Sequence, residues 1–227
     1  MLETLERCVS DNANASIIWL HGLGADGYDF EPIASALQLP GVRFILPHAP
    51  YRPVSINNGY EMRAWYDIYG LDADSPQDEA GIRQSQREIE ALIEAEKARG
   101  IAAERIVLAG FSQGGAIALH TALRQPEPLA GALVLSSWLP MKGRLQDEIH
   151  TANRQLPIFM AHGNLDTIVP LQTAKASAQL LTASGYPLTW HKYPMAHSVS
   201  DEEIADIHQF LHTILTIQDA QDFSKSA

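Results

Sequence analysis

Gly110-Phe111-Ser112-Gln113-Gly114-Gly115 is the stretch of sequence that decides the fold. It lies between an apolar, β-branched run at 105–109, typical of a buried strand, and a helix-forming run at 116–123. Gly-x-Ser-x-Gly between a strand and a helix is typical of a nucleophile elbow, a sharp turn that exposes a serine hydroxyl. Glycine is required beside the serine because the strand and the helix approach closely. The sequence therefore predicts that Ser112 lies at the apex of this turn.

Short apolar runs alternate with helix-forming segments along the rest of the chain. The runs at 16–20, 42–46, 130–136 and 156–161 are mostly apolar, which is typical of strands buried on both faces of a sheet. A further run at 188–193 is predicted to be the last strand. Strands that alternate with helices in this way predict an α/β protein with a mostly parallel central sheet and helices on both faces.

Two helices carry local signals for their first residues. Ser75-Pro76 is predicted to begin the longest helix, with Ser75 as its N-cap. Gly100 is predicted to end that helix. Ser200 and Glu203 form a capping-box pattern that predicts the start of the last helix.

One long segment, 51–74, carries weak secondary-structure signals and many aromatic residues. A short strand is predicted within it at 62–67. Long irregular segments in a compact domain are usually functional. The aromatic side chains would also offer an apolar patch that a homodimer could use.

Composition limits the classes of function. A chain of 227 residues without a linker or repeat is predicted to form one domain over 1–227, with a flexible polar tail at 218–227. The net charge of −11 disfavours nucleic acid and anionic membrane surfaces as partners. No signal peptide or membrane-spanning run is visible, and the single cysteine, Cys8, cannot form an internal disulfide. These features predict a cytoplasmic protein without stable membrane insertion.

A serine hydroxyl needs a base, because it is a weak nucleophile at neutral pH. Asp166 and His197 each follow a predicted strand downstream of Ser112, in the order nucleophile, acid, histidine. The carboxyl ends of parallel strands share one edge of the sheet, so these side chains are expected to lie close together. We predict that His197 takes the proton of Ser112 and that Asp166 orients the imidazole.

Two backbone N–H groups are expected to bind the oxyanion that acyl transfer forms. One belongs to Gln113, which directly follows the serine at a helix N-terminus. The other is assigned to Leu23 in His21-Gly22-Leu23-Gly24, a loop after an earlier strand, although these glycines would also suit a simple turn. Of the other histidines, His21 is interpreted as a hydrogen-bonding residue of its loop, and His162 as shaping the turn before Asp166.

Several apolar residues lie next to these predicted rim positions. They have two interpretations: ordinary core packing, expected for at least half of them, or a groove for an acyl or alkyl chain. The residues are Ile68, Leu71, Trp138, Leu165, Ile168 and Val169.

Motifs spread over nearly the whole chain resemble the phospholipase/carboxylesterase group of α/β-hydrolases, which includes acyl-protein thioesterases and small bacterial carboxylesterases. Beyond the elbow, they are His21-Gly22-Leu23-Gly24-Ala25-Asp26-Gly27, Pro47-His48-Ala49-Pro50, Met62-Arg63-Ala64-Trp65-Tyr66-Asp67, Leu135-Ser136-Ser137-Trp138-Leu139-Pro140, His162-Gly163-Asn164-Leu165-Asp166 with Thr167-Ile168-Val169-Pro170, and Ala196-His197.

The resemblance implies an α/β-hydrolase fold, with Ser112, Asp166 and His197 as the catalytic residues. It implies Leu23 and Gln113 as oxyanion donors. It also implies that the loop from Trp65 to Leu71, together with Trp138, borders the acyl pocket. One departure is Asn164, where relatives often carry an acid.

The expected activity is that of a serine carboxylesterase acting on a small-molecule or lipid-like ester, without a cofactor or metal. An acyl-protein thioesterase, which acts on acylated proteins, or a lysophospholipase would use the same residues on another substrate. A binding protein on an inactive hydrolase fold is less favoured, because all three catalytic candidates are present.

Overall fold

The computed structural model describes residues 1–8, 12–70 and 75–217. Its strands are β1 (Thr4–Cys8), β2 (Ala15–Leu20), β3 (Val42–Pro47), β4 (Tyr51–Val54), β5 (Tyr60–Arg63), β6 (Ile106–Phe111), β7 (Gly131–Leu135), β8 (Ile158–Gly163) and β9 (Leu188–Tyr193). The tail predicted at 218–227 lies outside the described residues.

A seven-stranded sheet in the order β1-β3-β2-β6-β7-β8-β9 forms the centre of the fold. Every neighbouring pair in it is parallel except β1 and β3. The predicted mostly parallel sheet is therefore confirmed. β4 and β5 form a separate antiparallel hairpin.

Helices cover both faces of the sheet. The side chains of β2 alternate between two hydrophobic clusters: Ile18 and Leu20 face one, Ile17 and Trp19 the other. The first cluster includes residues of α2, α3, α4 and α5, and the second includes residues of α1 and α6. The helices are α1 (Glu31–Leu37), α2 (Glu79–Ala98), α3 (Gln113–Ala122), α4 (Leu145–Glu148), α5 (Leu171–Ala183) and α6 (Asp201–Leu215).

Two strands differ from the sequence prediction. β1 was not predicted, because it is an exposed edge strand with no apolar alternation. The short strand expected at 62–67 lies instead at Tyr60–Arg63, where it pairs with β4. Asn58 and Gly59 at the turn both have positive φ, 56° and 76°. An Asn-Gly pair is a hairpin signal and marks this turn, but the loop here spans residues 55–59 and includes a short 3-10 helix at Ser55–Asn57.

The start of α2 also differs from the prediction. The helix begins at Glu79 rather than near Pro76, with Asp78 as its N-cap. The Asp78 carboxylate accepts the N–H groups of Gly81 and Asp67, each at 2.9 Å. It therefore caps α2 and fixes the preceding loop at the same time. The bond to Asp67 is a tertiary contact, so the local sequence signal at 75–76 could not predict it. The predicted cap of α6 is confirmed, since Ser200 Oγ accepts the N–H of Glu203 at 3.2 Å.

The elbow depends on close backbone contact between three elements. A Cβ at Gly114 would lie well inside van der Waals contact of the carbonyl oxygens of Leu20 and His21. A Cβ at Gly110 would clash with the backbone of Gly114. The first turn of α3 therefore rests directly on the ends of β2 and β6, and the sequence positions both glycines where no side chain fits.

We expect Gly114→Ala to lower the free energy of unfolding by about 3 kcal/mol, because the added methyl group meets backbone atoms that cannot rotate away. Urea unfolding measures the change. Gly143→Ala is the matched control, since a Cβ there meets nothing within 4 Å. Equal stability of the two variants would contradict this account of the elbow.

Candidate active site

Ser112 lies at the turn between β6 and α3, as the sequence predicts. Its backbone has φ 53° and ψ −121°, a conformation that non-glycine residues adopt rarely and that is typical of strained functional turns. Its N–H donates to Leu135 O at 2.8 Å, and its carbonyl accepts the Ser137 hydroxyl at 2.6 Å. These bonds to the end of β7 hold the strained turn in place. Both use backbone atoms of Ser112, so neither involves its side-chain hydroxyl.

Asp166 and His197 are joined by a hydrogen bond. His197 Nδ1 lies 2.7 Å from Asp166 Oδ2. A carboxylate can only accept, so Nδ1 carries the proton and Nε2 keeps a free lone pair. The His197 ring packs against the Phe111 ring at a centroid distance of 4.7 Å. Since Phe111 precedes Ser112, this contact places the imidazole beside the elbow.

The Asp166 carboxylate is fully buried and surrounded by donors. Oδ1 accepts the N–H groups of Ile168 and Val169, each at 2.9 Å. Oδ2 faces His197 and, at 3.3 Å, Nε2 of His162. His162 Nε2 also lies 2.9 Å from Val169 O, so this nitrogen carries a proton. The interpretation of His162 as a residue that shapes the Asp166 turn is thereby confirmed.

The two N–H groups predicted to bind an oxyanion come from two different elements near Ser112. Gln113 is the first residue of α3, and the first N–H groups of a helix have no acceptor within it. Gly22, next to Leu23, lies close enough that a Cβ there would be 3.6 Å from Ser112 Cβ. The loop carrying Leu23 therefore passes directly beside the serine.

A largely apolar cavity of about 280 Å³ adjoins this rim. Its walls are formed by the segments 66–70 and 75–77, by Trp138 and Leu139, and by α5 through Thr173, Ala176 and Leu180. Ile68, Ile168 and Val169, predicted as groove residues, also line it, as does Trp138. The contribution of α5 was not predicted, because the side chains it presents follow ordinary helical spacing.

Two of the predicted pocket residues, Trp65 and Leu165, do not line the cavity. Trp65 is fully buried. The side chain of Leu165 is 65% exposed, while the Leu165 backbone N–H donates to Met195 O. Leu71 lies outside the described residues.

The cavity is adjacent to the catalytic candidates rather than around them. Ser112 and His197 are not among its lining residues. Two residues join the cavity to the site: Val169, whose N–H binds Asp166, and Trp138, which follows the Ser137 that binds Ser112 O. The cavity therefore adjoins the candidate site through Trp138 and Val169.

His21 is a buried, neutral histidine. Its Nε2 accepts the N–H of Ala49 at 3.0 Å, and its Nδ1 lies 2.7 Å from Gly22 O. Since a carbonyl only accepts, Nδ1 carries the single proton. Burial lowers the pKa of His21 to about 4, against opposing effects of the Gly22 hydrogen bond and the charge of Asp26. The interpretation of His21 as a hydrogen-bonding residue of its loop is confirmed.

Comparisons with known proteins assign the chain to a family. A sequence model of the Phospholipase/Carboxylesterase family matches residues 7–215. The chain belongs to this family. Acyl-protein thioesterase 1 of Gibberella zeae is 43% identical over 212 residues, 87% of this chain and 89% of that protein. A probable carboxylesterase of Oryza sativa subsp. japonica is 36% identical over 201 residues, 86% of this chain and 76% of that protein.

The crystal structure of Zea mays acyl-protein thioesterase 2 superposes with a TM-score of 0.87 at 29% identity, and the match covers 95% of this chain and all of that one. The predicted α/β-hydrolase fold is therefore confirmed, and the chain is a hydrolase of the esterase type. Across the described ranges, no helix is long and apolar enough to cross a membrane. Within the same ranges, no group of three or more His, Cys, Asp or Glu residues could hold a metal ion.

The neutral state of His21 predicts a loss of stability in acid. Between pH 6.5 and 4 the unfolded chain binds a proton at this residue and the folded chain does not, so the free energy of unfolding falls with falling pH. At pH 5 the loss from His21 is about 2 kcal/mol. Urea unfolding of wild type and His21→Gln from pH 7 to 4.5 measures it. We expect a shallower pH dependence in the variant, and parallel curves would contradict the assignment.

Proposed function

We propose that this hydrolase cleaves carboxylic esters through an acyl-enzyme on Ser112, with His197 as the general base and Asp166 as the residue that orients it. The observation that carries the proposal is the 2.7 Å bond from His197 Nδ1 to the buried Asp166 carboxylate. It fixes the tautomer in which Nε2 can accept a proton. We assign that proton to the hydroxyl of Ser112, because Ser112 directly follows Phe111, whose ring packs against His197.

The proposed reaction has two halves. Ser112 Oγ attacks the ester carbonyl while its proton passes to His197 Nε2, and the carbonyl oxygen becomes an anion facing the N–H groups of Leu23 and Gln113. The intermediate collapses, the bond to the alcohol breaks, and the alcohol leaves with the proton from His197. Water then repeats the sequence on the acyl-enzyme, and the carboxylic acid leaves as Ser112 regains its proton.

The positive charge on His197 during both halves is stabilised by Asp166. That carboxylate accepts hydrogen bonds from the N–H groups of Ile168 and Val169 and from His197, so its orientation is fixed. A fixed negative charge costs no reorganisation when the imidazolium forms.

The cavity beside Trp138 supports an apolar acyl chain as part of the substrate. Each methylene transferred from water into such a cavity contributes about 0.8 kcal/mol, which corresponds to roughly a fourfold change in affinity. The preferred chain length therefore depends on how far the cavity continues along α5.

A thioesterase acting on acylated proteins is the second candidate. It is favoured by the relative named acyl-protein thioesterase 1, at 43% identity, and it needs the same residues and the same cavity. The two readings differ in the leaving group, so hydrolysis rates of matched oxygen esters and thioesters with one acyl chain separate them. A lysophospholipid would be the corresponding test for a lysophospholipase.

We expect Ser112→Ala to abolish hydrolysis of p-nitrophenyl esters and of the matched thioesters. The loss should be on the order of 10⁴-fold or more, because no covalent intermediate can form. Ser35→Ala, an exposed serine of α1, is the control and should keep wild-type rates. Substantial activity in folded Ser112→Ala would refute the proposed nucleophile. If wild type hydrolyses no ester and a fluorophosphonate does not label Ser112, a binding protein becomes the better reading.

The cavity predicts a change in chain-length preference. Ala176→Phe adds a ring to the α5 wall and should move the optimal p-nitrophenyl ester to a shorter acyl chain, with the acetate rate little changed. Gln179→Phe, on the same helix but outside the cavity wall, should leave the optimum unchanged. An unchanged optimum in Ala176→Phe would exclude this cavity as the acyl site.

A further inference from the structure

We infer that Trp65 is a positioning residue that fixes the two oxyanion donors, Leu23 and Gln113, relative to each other. This inference rests on the proposed function, because it takes the roles of these two N–H groups from there. The resemblance to the family assigned Trp65 to the border of the acyl pocket. The structure instead gives it hydrogen bonds to both halves of the oxyanion site.

The side chain of Trp65 binds the loop that carries Leu23. Its indole Nε1 donates to the carbonyl of His21 at 2.8 Å, and its ring lies 5.2 Å from the His21 ring, centroid to centroid. The side chain is fully buried, so no water competes for this carbonyl. The indole therefore sets the path of the chain immediately before Gly22 and Leu23.

The backbone of Trp65 binds the side chain of Gln113. The Trp65 N–H donates to Gln113 Oε1 at 2.8 Å, and Gln113 Nε2 donates to Tyr66 O at 2.7 Å. Gln113 is also fully buried. Its amide group therefore pairs with two consecutive backbone groups, which fixes the first residue of α3 against the segment 63–66. Ser85 Oγ donates to Trp65 O and holds that segment to α2.

A second hydrogen bond, besides that of the Trp65 indole, joins the segment 63–66 to the loop that carries Leu23. Gly24 N–H donates to Arg63 O at 2.8 Å, so the segment 63–66 binds the donor loop on both sides of Leu23. Arg63 Nη1 also donates to Ala49 O, and the Ala49 N–H is the group that His21 Nε2 accepts. Together these bonds form one closed network through the segment.

This geometry matters because an oxyanion is stabilised only where both donors point at one place. The donors must lie about 2.7–3.1 Å from the developing anion. Leu23 and Gln113 come from separate elements, the loop after β2 and the start of α3. Trp65 binds to both, so a small displacement of Trp65 would change the separation of the two N–H groups.

A large buried tryptophan also has a purely structural interpretation, and the chain offers a matched control for it. Trp19 is fully buried as well, but among the described residues its indole Nε1 has no hydrogen-bond partner. Trp65→Phe and Trp19→Phe therefore remove similar volume from the interior. Only the first removes a hydrogen bond to the donor loop.

The test measures kcat and KM for a p-nitrophenyl ester, inhibition by a trifluoromethyl ketone, and the thermal midpoint. The ketone forms a hemiketal: Ser112 Oγ bonds to the carbonyl carbon, the serine proton passes to His197, and the former carbonyl oxygen becomes the anion between the donors. It therefore reports on the oxyanion site separately from ordinary substrate binding.

We expect Trp65→Phe to lower kcat by about tenfold with little change in KM. This loss is smaller than the roughly 100-fold or larger loss of kcat that follows removal of a whole oxyanion donor. The affinity of Trp65→Phe for the ketone should fall by the same factor as its kcat. Trp19→Phe should change neither quantity, whatever it does to the thermal midpoint. Equal kinetics and equal ketone affinity in the two folded variants would overturn the inference.

Two further variants keep the outcomes distinct. If Trp65→Phe does not fold, Gln113→Met is the alternative. It removes the side-chain amide that binds Trp65 and Tyr66 and keeps the backbone N–H of residue 113. We expect it to lower both kcat and the affinity for the ketone. A folded Gln113→Met with wild-type kcat and ketone affinity would then overturn the inference. Ser112→Ala separates the two proposals: activity in that variant refutes the proposed function, whereas an inactive Ser112→Ala beside a fully active Trp65→Phe refutes only the role of Trp65.

Discussion

The contact of Gly114 with the backbone of Leu20 and His21 is the constraint on which the site depends. Because no side chain separates α3 from the end of β2, the helix N-terminus comes directly to the sheet edge. Ser112, with a positive φ, lies at this turn, the first N–H of α3 has no helical partner, as at any helix start, and the loop after β2 passes alongside the serine. The proposed nucleophile and both proposed oxyanion donors are therefore brought together where these elements pack closely.

Much of this arrangement could be predicted from the sequence because its causes are local. Glycines beside a serine, between a β-branched run and a helix, leave few other conformations. The carboxyl ends of parallel strands share an edge, so Asp166 and His197 could be placed together from their positions after two predicted strands. The structure brings these two side chains to 2.7 Å. Strand direction places both residues at one edge of the sheet, and their contact also requires that β8 and β9 are neighbours.

The features that were missed depend on long-range partners. Asp78, not Ser75, begins α2, since its carboxylate also holds the N–H of Asp67 in a loop that no local pattern describes. The contribution of α5 to the cavity wall was missed for the same reason. Helical spacing shows which residues of a helix share a face, but not which part of the protein that face contacts. Trp65 was placed at the pocket on resemblance alone. In the structure it is buried and forms hydrogen bonds to His21 and to Gln113, which lie far away in the sequence.

These long-range bonds share a physical reason. The functional side chains lie on loops after strand ends, where the ladder of the sheet no longer pairs the backbone N–H and C=O groups. Buried backbone groups still need partners, and here side chains supply them: His21 for Ala49, Trp65 for His21, Gln113 for Trp65 and Tyr66, Asp166 for Ile168 and Val169. Each such bond pairs a buried backbone group and also fixes a loop of the proposed site. Stability and positioning therefore rest on the same polar side chains, so a substitution among them affects both the folding and the chemistry of this esterase.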